Sequence, residues 1–149
     1  MMKLLADMDA PRQPDIAQFE LEGWIDSSPF ETLLGLKIES SAGGEAVLSM
    51  PFTVKLANGG GVMHGGAMTA LADTAVAMAI KSLLPSGTIF ATTALTMEFL
   101  APVISGVVYA YAAVKNTGER SFEGACDLRG EDRLVYARFT SVFKVARQQ

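Results

Sequence analysis

The 149-residue chain contains one cysteine (Cys126), one histidine (His64) and one tryptophan (Trp24). A single cysteine cannot close an internal disulfide, which fits a reducing compartment and a cytoplasmic protein. One histidine and one cysteine cannot make a His/Cys zinc site within one chain. Basic residues are also in short supply: 12 Lys and Arg stand against 16 Asp and Glu, for a formal net charge of −4. No basic footprint for nucleic acid is present. The most apolar stretch is interrupted by Asp73 and Lys81, so no plain membrane span is expected. The first fifteen residues have neither the long apolar run nor the small-residue cleavage pattern of a signal peptide.

What is present fits one domain, since a chain of this length buries about two-thirds of its unfolded surface. The stretch from Asn58 to Leu84 organises it. Asn58-Gly59-Gly60-Gly61 cannot hold regular structure, and His64-Gly65-Gly66 leads into a run of Ala, Leu, Met, Val and Ile. That run predicts a helix that is apolar nearly all round and therefore buried. Asp73 sits in its middle. At helical spacing its face carries Gly66, Thr69, Ala70, Val76, Ala77 and Ile80, of which only Thr69 is polar. Burial there raises a carboxyl pKa. Two readings stand: a working carboxylate, or one that caps a group or pairs with Arg120, Arg133 or Arg138.

At the helix start no short hydroxyl or carboxylate side chain is in place to cap the first N–H groups. Uncapped Gly65 and Gly66 amides at the positive end of a helix dipole can receive an oxyanion. The competing reading is a glycine turn packed against a neighbour.

Elsewhere the pattern divides into a leader over residues 1–28 and a main domain over 29–149. Asp15, after Pro14, can cap a helix through Ile16-Ala17-Gln18-Phe19 toward Trp24. Phe30 to Leu34 suits a helical turn. Leu36 to Met50 reads as two strands about the Ala42-Gly43-Gly44 turn, and Pro85-Ser86-Gly87 stops the central helix. Four further strands follow, over Thr88–Leu100, Val107–Val114, Ser121–Leu128 and Leu134–Val145. Their short connections predict an antiparallel meander wrapped on the helix, an α+β fold. Cys126 falls in an alternating segment and reads as a small core residue.

Asn58-x-x-Gly61-x-x-His64-Gly65-Gly66, followed by a small-residue helix with Leu71-Ala72-Asp73, closely resembles the hotdog-fold acyl-CoA thioesterases, in particular the phenylacetate-degradation (PaaI-like) group. The likeness extends upstream to Phe30 and Leu34-Gly35-Leu36, and downstream through Phe99-Leu100-Ala101-Pro102 to Phe143. It implies an antiparallel sheet wrapped around one long helix and hydrolysis of an acyl- or aryl-CoA thioester. Asp73 would be general base or nucleophile and the Gly65 amide the oxyanion donor. Asn58 would position the water or the thioester, and His64 would orient the loop. Gly66 and Thr92, the latter on the strand after the helix, would meet substrate. Arg120, after the Gly118 turn, is a candidate for the coenzyme A phosphates. The resemblance also implies a homodimer or homotetramer, with Asp73 facing the Asn58–Gly65 loop of the neighbouring chain. No metal or cofactor is called for. Some relatives have Glu where this chain has Asp73, which changes the reach of the carboxylate and so bears on which substrate it serves.

Two other functions share this fold. A non-catalytic acyl-CoA-binding or sensing protein would keep the pocket without needing a buried acid. An enoyl-CoA hydratase or dehydratase would use its histidine as base at a different spacing. His64 directly before two glycines fits thioester hydrolysis better.

Overall fold

Alternation along the last strand shows how the sheet is built. Ala137, Phe139, Ser141 and Phe143 are buried, while Arg138 and Thr140 between them and Lys144 after them are exposed. In the computed structural model, which describes residues 1–147, this strand is β8 (Val135–Val145). The elements before it are β1 (Lys3–Leu4), β2 (Phe19–Glu20), α1 (Pro29–Leu34), β3 (Lys37–Ala42), β4 (Glu45–Pro51), α2 (Gly65–Lys81), β5 (Phe90–Phe99), β6 (Val107–Gly118) and β7 (Ser121–Arg129). A single six-stranded antiparallel sheet, in the order β3-β4-β6-β7-β8-β5, packs one face against α2.

Helix α2 runs 17 residues, about 25 Å. Leu71, Val76 and Ile80 are fully buried, as are Leu48, Val108, Leu128 and Phe139 on the sheet. Each such side chain contributes on the order of 1.5–3 kcal/mol by leaving water. Gly124 on β7 lets the helix seat closely: any Cβ there would collide with Val76 and Ser141.

Three expectations change. The segment after Asp15 is not a helix; Phe19–Glu20 pairs with Lys3–Leu4 instead. The Gln18 side chain helps hold that ribbon, donating to Pro11 O at 2.8 Å and accepting from Gln13 N at 2.7 Å. The four late strands are not one meander either. β6, β7 and β8 are sequential neighbours, but β5 lies beyond β8 at the sheet edge. The β5–β6 connection therefore crosses the end of the sheet. Leu100 N donates to Tyr136 O at 2.8 Å on one side and Gly106 O accepts from Phe52 N at 2.8 Å on the other. Between them Val103 O takes the Met63 N–H at 2.9 Å, just ahead of α2. The third change, at the start of α2, belongs to the site.

Candidate active site

The loop before α2 is a small hairpin closed by an Ala57–Met63 bridge. Asn58 N donates to Val62 O at 2.8 Å, and Asn58 Oδ1 accepts from Gly60 N at 2.9 Å and Val62 N at 3.3 Å. Gly61 completes the turn at φ +84°, a region that glycine enters without a Cβ penalty. The Asn58 side-chain oxygen is thus engaged by the loop. Its Nδ2 has no partner among the described residues and is free to meet a ligand.

His64 follows as the N-cap of α2, correcting the expected open start. Its Nδ1 accepts the Gly66 N–H at 2.8 Å, and its carbonyl takes Ala67 N at 3.0 Å and Met68 N at 3.2 Å. Imidazole can cap because Nδ1 stands two bonds from Cβ, where Asn and Asp carry their side-chain oxygen. Accepting at Nδ1 fixes the neutral tautomer with its hydrogen on Nε2. Gly66 is required here, since a Cβ would sit 2.9 Å from Nδ1 and push the ring off its cap. The Gly65 N–H alone keeps no partner among the described residues. Phe99 lies beside it: a Cβ on Gly65 would meet the ring at 3.1 Å. The tight-packing reading of the glycines therefore holds as well, with Phe99, 34 residues further along the chain, as a neighbour that no local pattern marks.

Asp73 is half-buried two turns further along α2. Thr92 Oγ1, on β5, donates to Asp73 Oδ1 at 2.8 Å. Burial pushes the Asp73 carboxyl above its ordinary range, and the Thr92 hydrogen bond opposes the rise in part. None of the three candidate arginines forms an ion pair with it among the described residues. Arg138 faces Asp127 Oδ1 at 3.8 Å, and Arg120 donates to Val145 O at 3.1 Å from the exposed β6–β7 turn. Arg120 does not line the Asp73 groove.

That groove has a volume of about 400 Å³ and runs between α2 and β5. Ala77, Phe90, Phe143 and Trp24 give it an apolar side, while Glu31, Thr74, Lys81 and Thr88 add polar groups beside Asp73 and Thr92. Trp24 carries no sequence signal for a place in this groove, because its contact with Lys81 spans 57 residues of sequence, beyond any local pattern. Cys126 is buried, and burial followed by the Asp127 charge pushes its thiol up to about 12. It therefore carries no thiolate at neutral pH. Among the described residues no cluster of three or more His, Cys, Asp or Glu could hold a metal ion. No helix among them is long and apolar enough to cross a membrane.

A half-buried acid in a groove and a free amide at a helix start suit acyl transfer chemistry. The family described as the thioesterase superfamily matches residues 60–137, from the glycine loop into β8. The chain belongs to the thioesterase superfamily. It is accordingly a thioester hydrolase, and its α+β architecture is the hotdog arrangement of its structural relatives. The acyl-coenzyme A thioesterase PaaI of Escherichia coli (strain K12) is 37% identical over 89 residues, covering 59% of this chain and 61% of that protein. The solved structure of the E. coli PaaI protein from the phenylacetic acid degradation operon matches with TM-score 0.74 at 28% identity, over 82% of this chain and 87% of that one. A conserved protein of Pseudomonas aeruginosa matches with TM-score 0.77 at 28% identity, over 83% and 97%. The family match begins after Trp24 and α1, so that wall of the groove lies outside it.

Proposed function

We propose that the protein hydrolyses acyl- or aryl-CoA thioesters, with Asp73 as general base or nucleophile and the Gly65 amide as oxyanion donor. The observation that carries this reading is the half-buried Asp73 carboxylate, held by Thr92 at 2.8 Å in a groove beside Phe90 and Phe143, with no cation paired to it among the described residues. A general base must be ionised yet basic, and partial burial supplies the basicity. Thr92 keeps one carboxylate oxygen fixed, leaving the other for a water or for the thioester carbon. The preceding loop contributes its Gly65 N–H to the developing oxyanion, with Asn58 Nδ2 free to position the water or the thioester and His64 bracing the helix start. Gly66 serves by letting that cap form.

The two halves of this machinery do not meet within one chain. Gly65 and Asp73 are eight residues apart on one helix, about 12 Å along its axis. The Gly65 N–H also points out beyond the helix start, away from Asp73. An oxyanion donor must lie about 3 Å from the oxygen and a base within hydrogen-bond reach, or one water, of the attacking group. We therefore place the site between two chains, each giving Asp73 to the other's loop. Edge strand β5 suits such a partner: Ala94, Leu95 and Thr96 are all exposed on it, and Phe99 at its end is 53% exposed.

Incubation with a panel of short, medium, long and aryl acyl-CoAs in the presence of a thiol reagent tests the activity. Release of thiol without added metal is expected; none across the panel would refute the reading. A hydratase would instead change enoyl-CoA absorbance and release no thiol. Thr92→Val tests the Asp73 assignment through pH. Removing the Thr92 donor takes away what lowers the carboxyl, so the Asp73 pKa rises further. The acid limb of kcat/KM should move to higher pH, with activity regained on the alkaline side. An unshifted limb would mean that Asp73 is not the titrating group.

A further inference from the structure

Building on the assignment of Asp73 as the reacting carboxylate, we infer that Trp24 forms the far wall of the acyl groove and sets how long an acyl group the site accepts. The groove has a direction. Its floor is one stripe of α2, Asp73, Ala77 and Lys81, at successive i, i+4 positions and about 12 Å from end to end. Its side is β5, running from Thr92 beside Asp73 back to Phe90. Both lead from the carboxylate to Trp24, which closes the end. The lining along this path is mixed: Phe90, Phe143 and Trp24 give it an aromatic side against which an acyl chain or ring can lie, and Glu31, Thr74 and Thr88 line it as well. About 400 Å³ lies at the small end for ligand pockets, so an end wall is a real limit.

Trp24 is fixed there from several sides. Its Nε1–H donates to Lys81 O at 2.9 Å, a carbonyl at the C-terminal end of α2 where intrahelical partners run out. Lys81 Nζ donates in return to Trp24 O at 3.1 Å, and the ammonium lies 4.7 Å from the indole centroid. Phe90 meets the indole edge-on, with centroids 6.5 Å apart at 72°. Burial works against the Lys81 charge, and the nearby carboxylates of Glu31 and Asp26 sustain it. A side chain from a segment outside the family match is thus clasped to the end of the helix that carries the acid.

The test compares wild type, Trp24→Ala and Trp24→Phe, each shown to be folded by circular dichroism. Binding of non-hydrolysable acyl-CoA thioethers of increasing chain length is measured by calorimetry, and kcat/KM for the matching thioesters in parallel. Wild-type affinity should climb with length and then break off. In Trp24→Ala the break should move several carbons further, with affinity still rising about fourfold per added methylene where wild type has stopped. Trp24→Phe keeps most of the wall and should keep the wild-type break. An unchanged break in Trp24→Ala, or an equal change at every length, would overturn the inference. If Trp24→Ala does not fold, Trp24→Leu is judged by the same criterion. Absence of thiol release from wild type would sink the thioesterase reading alone, because the thioether series still reports the wall. No thioether binding by wild type would overturn both.

Discussion

Asp73→Asn is expected to lose about 10²–10⁴-fold in turnover while the protein stays folded, the range for removal of a general base. The substitution keeps size and shape. It also keeps the Thr92 contact, because the amide oxygen of Asn can accept the hydroxyl that Asp73 Oδ1 now accepts at 2.8 Å. Only the charge and the proton chemistry go. Stability should move the other way. The Asp73 pKa is raised in the fold, chiefly by burial, so the ionised form is less favourable folded than unfolded. That cost is present above the folded pKa and vanishes as pH falls below the unfolded value. Thermal melts should therefore show Asp73→Asn more stable than wild type at pH 7, with the gap closing in acid. An inactive but more stable variant separates a working carboxylate from a structural one. Activity within a few-fold of wild type, or a marked drop in Tm at pH 7, would identify Asp73 as structural.

The buried helix and the period-2 strands were legible because burial is periodic and local. Ala137, Phe139, Ser141 and Phe143 announce their face of β8 in the sequence and occupy it in the fold. Asp73 was legible for a related reason, as a charge where the helical period calls for an apolar side chain. Strand order was not. β6 and β8 could each accept β5 as an antiparallel neighbour, and the choice rests on a crossing segment whose hydrogen bonds go to Tyr136, Met63 and Phe52, all distant in sequence. The exposure of Ala94, Leu95 and Thr96 marks an edge strand, yet the threonines there read equally well as ordinary strand residues. His64 carries no usual cap signal, because the common caps are short oxygen-bearing side chains, although its Nδ1 has the same reach. In the leader the helical pattern over residues 15–25 gives way to long-range contacts, the pairing of Phe19–Glu20 with Lys3–Leu4 and the docking of Trp24 onto Lys81.

Mixing two inactive variants should restore about a quarter of wild-type activity if each site draws Asp73 from one chain and Gly65 from the other. The second variant is Gly65→Pro. Proline removes the one N–H of the helix start that has no partner among the described residues, and it is well placed at the first helical position. His64 already has φ −61° and ψ 132°, the extended conformation that a residue before proline adopts. Only Phe99, 3.1 Å from a Cβ at this position and exposed, must shift slightly. By itself Gly65→Pro should lose about 10²–10³-fold, as for deletion of one oxyanion donor. Asp73→Asn and Gly65→Pro are then unfolded and refolded together in equal amounts. With random pairing half the dimers are mixed. Each mixed dimer has one site carrying both defects and one carrying neither, because a two-fold dimer holds two equivalent composite sites. If instead Asp73 worked with the Gly65 of its own chain, every site would retain one defect and activity would stay at the level of the variants. The 12 Å separation along α2 argues for recovery. Mass measurement establishes that mixed dimers formed, and mixed dimers without recovered activity would refute the shared site.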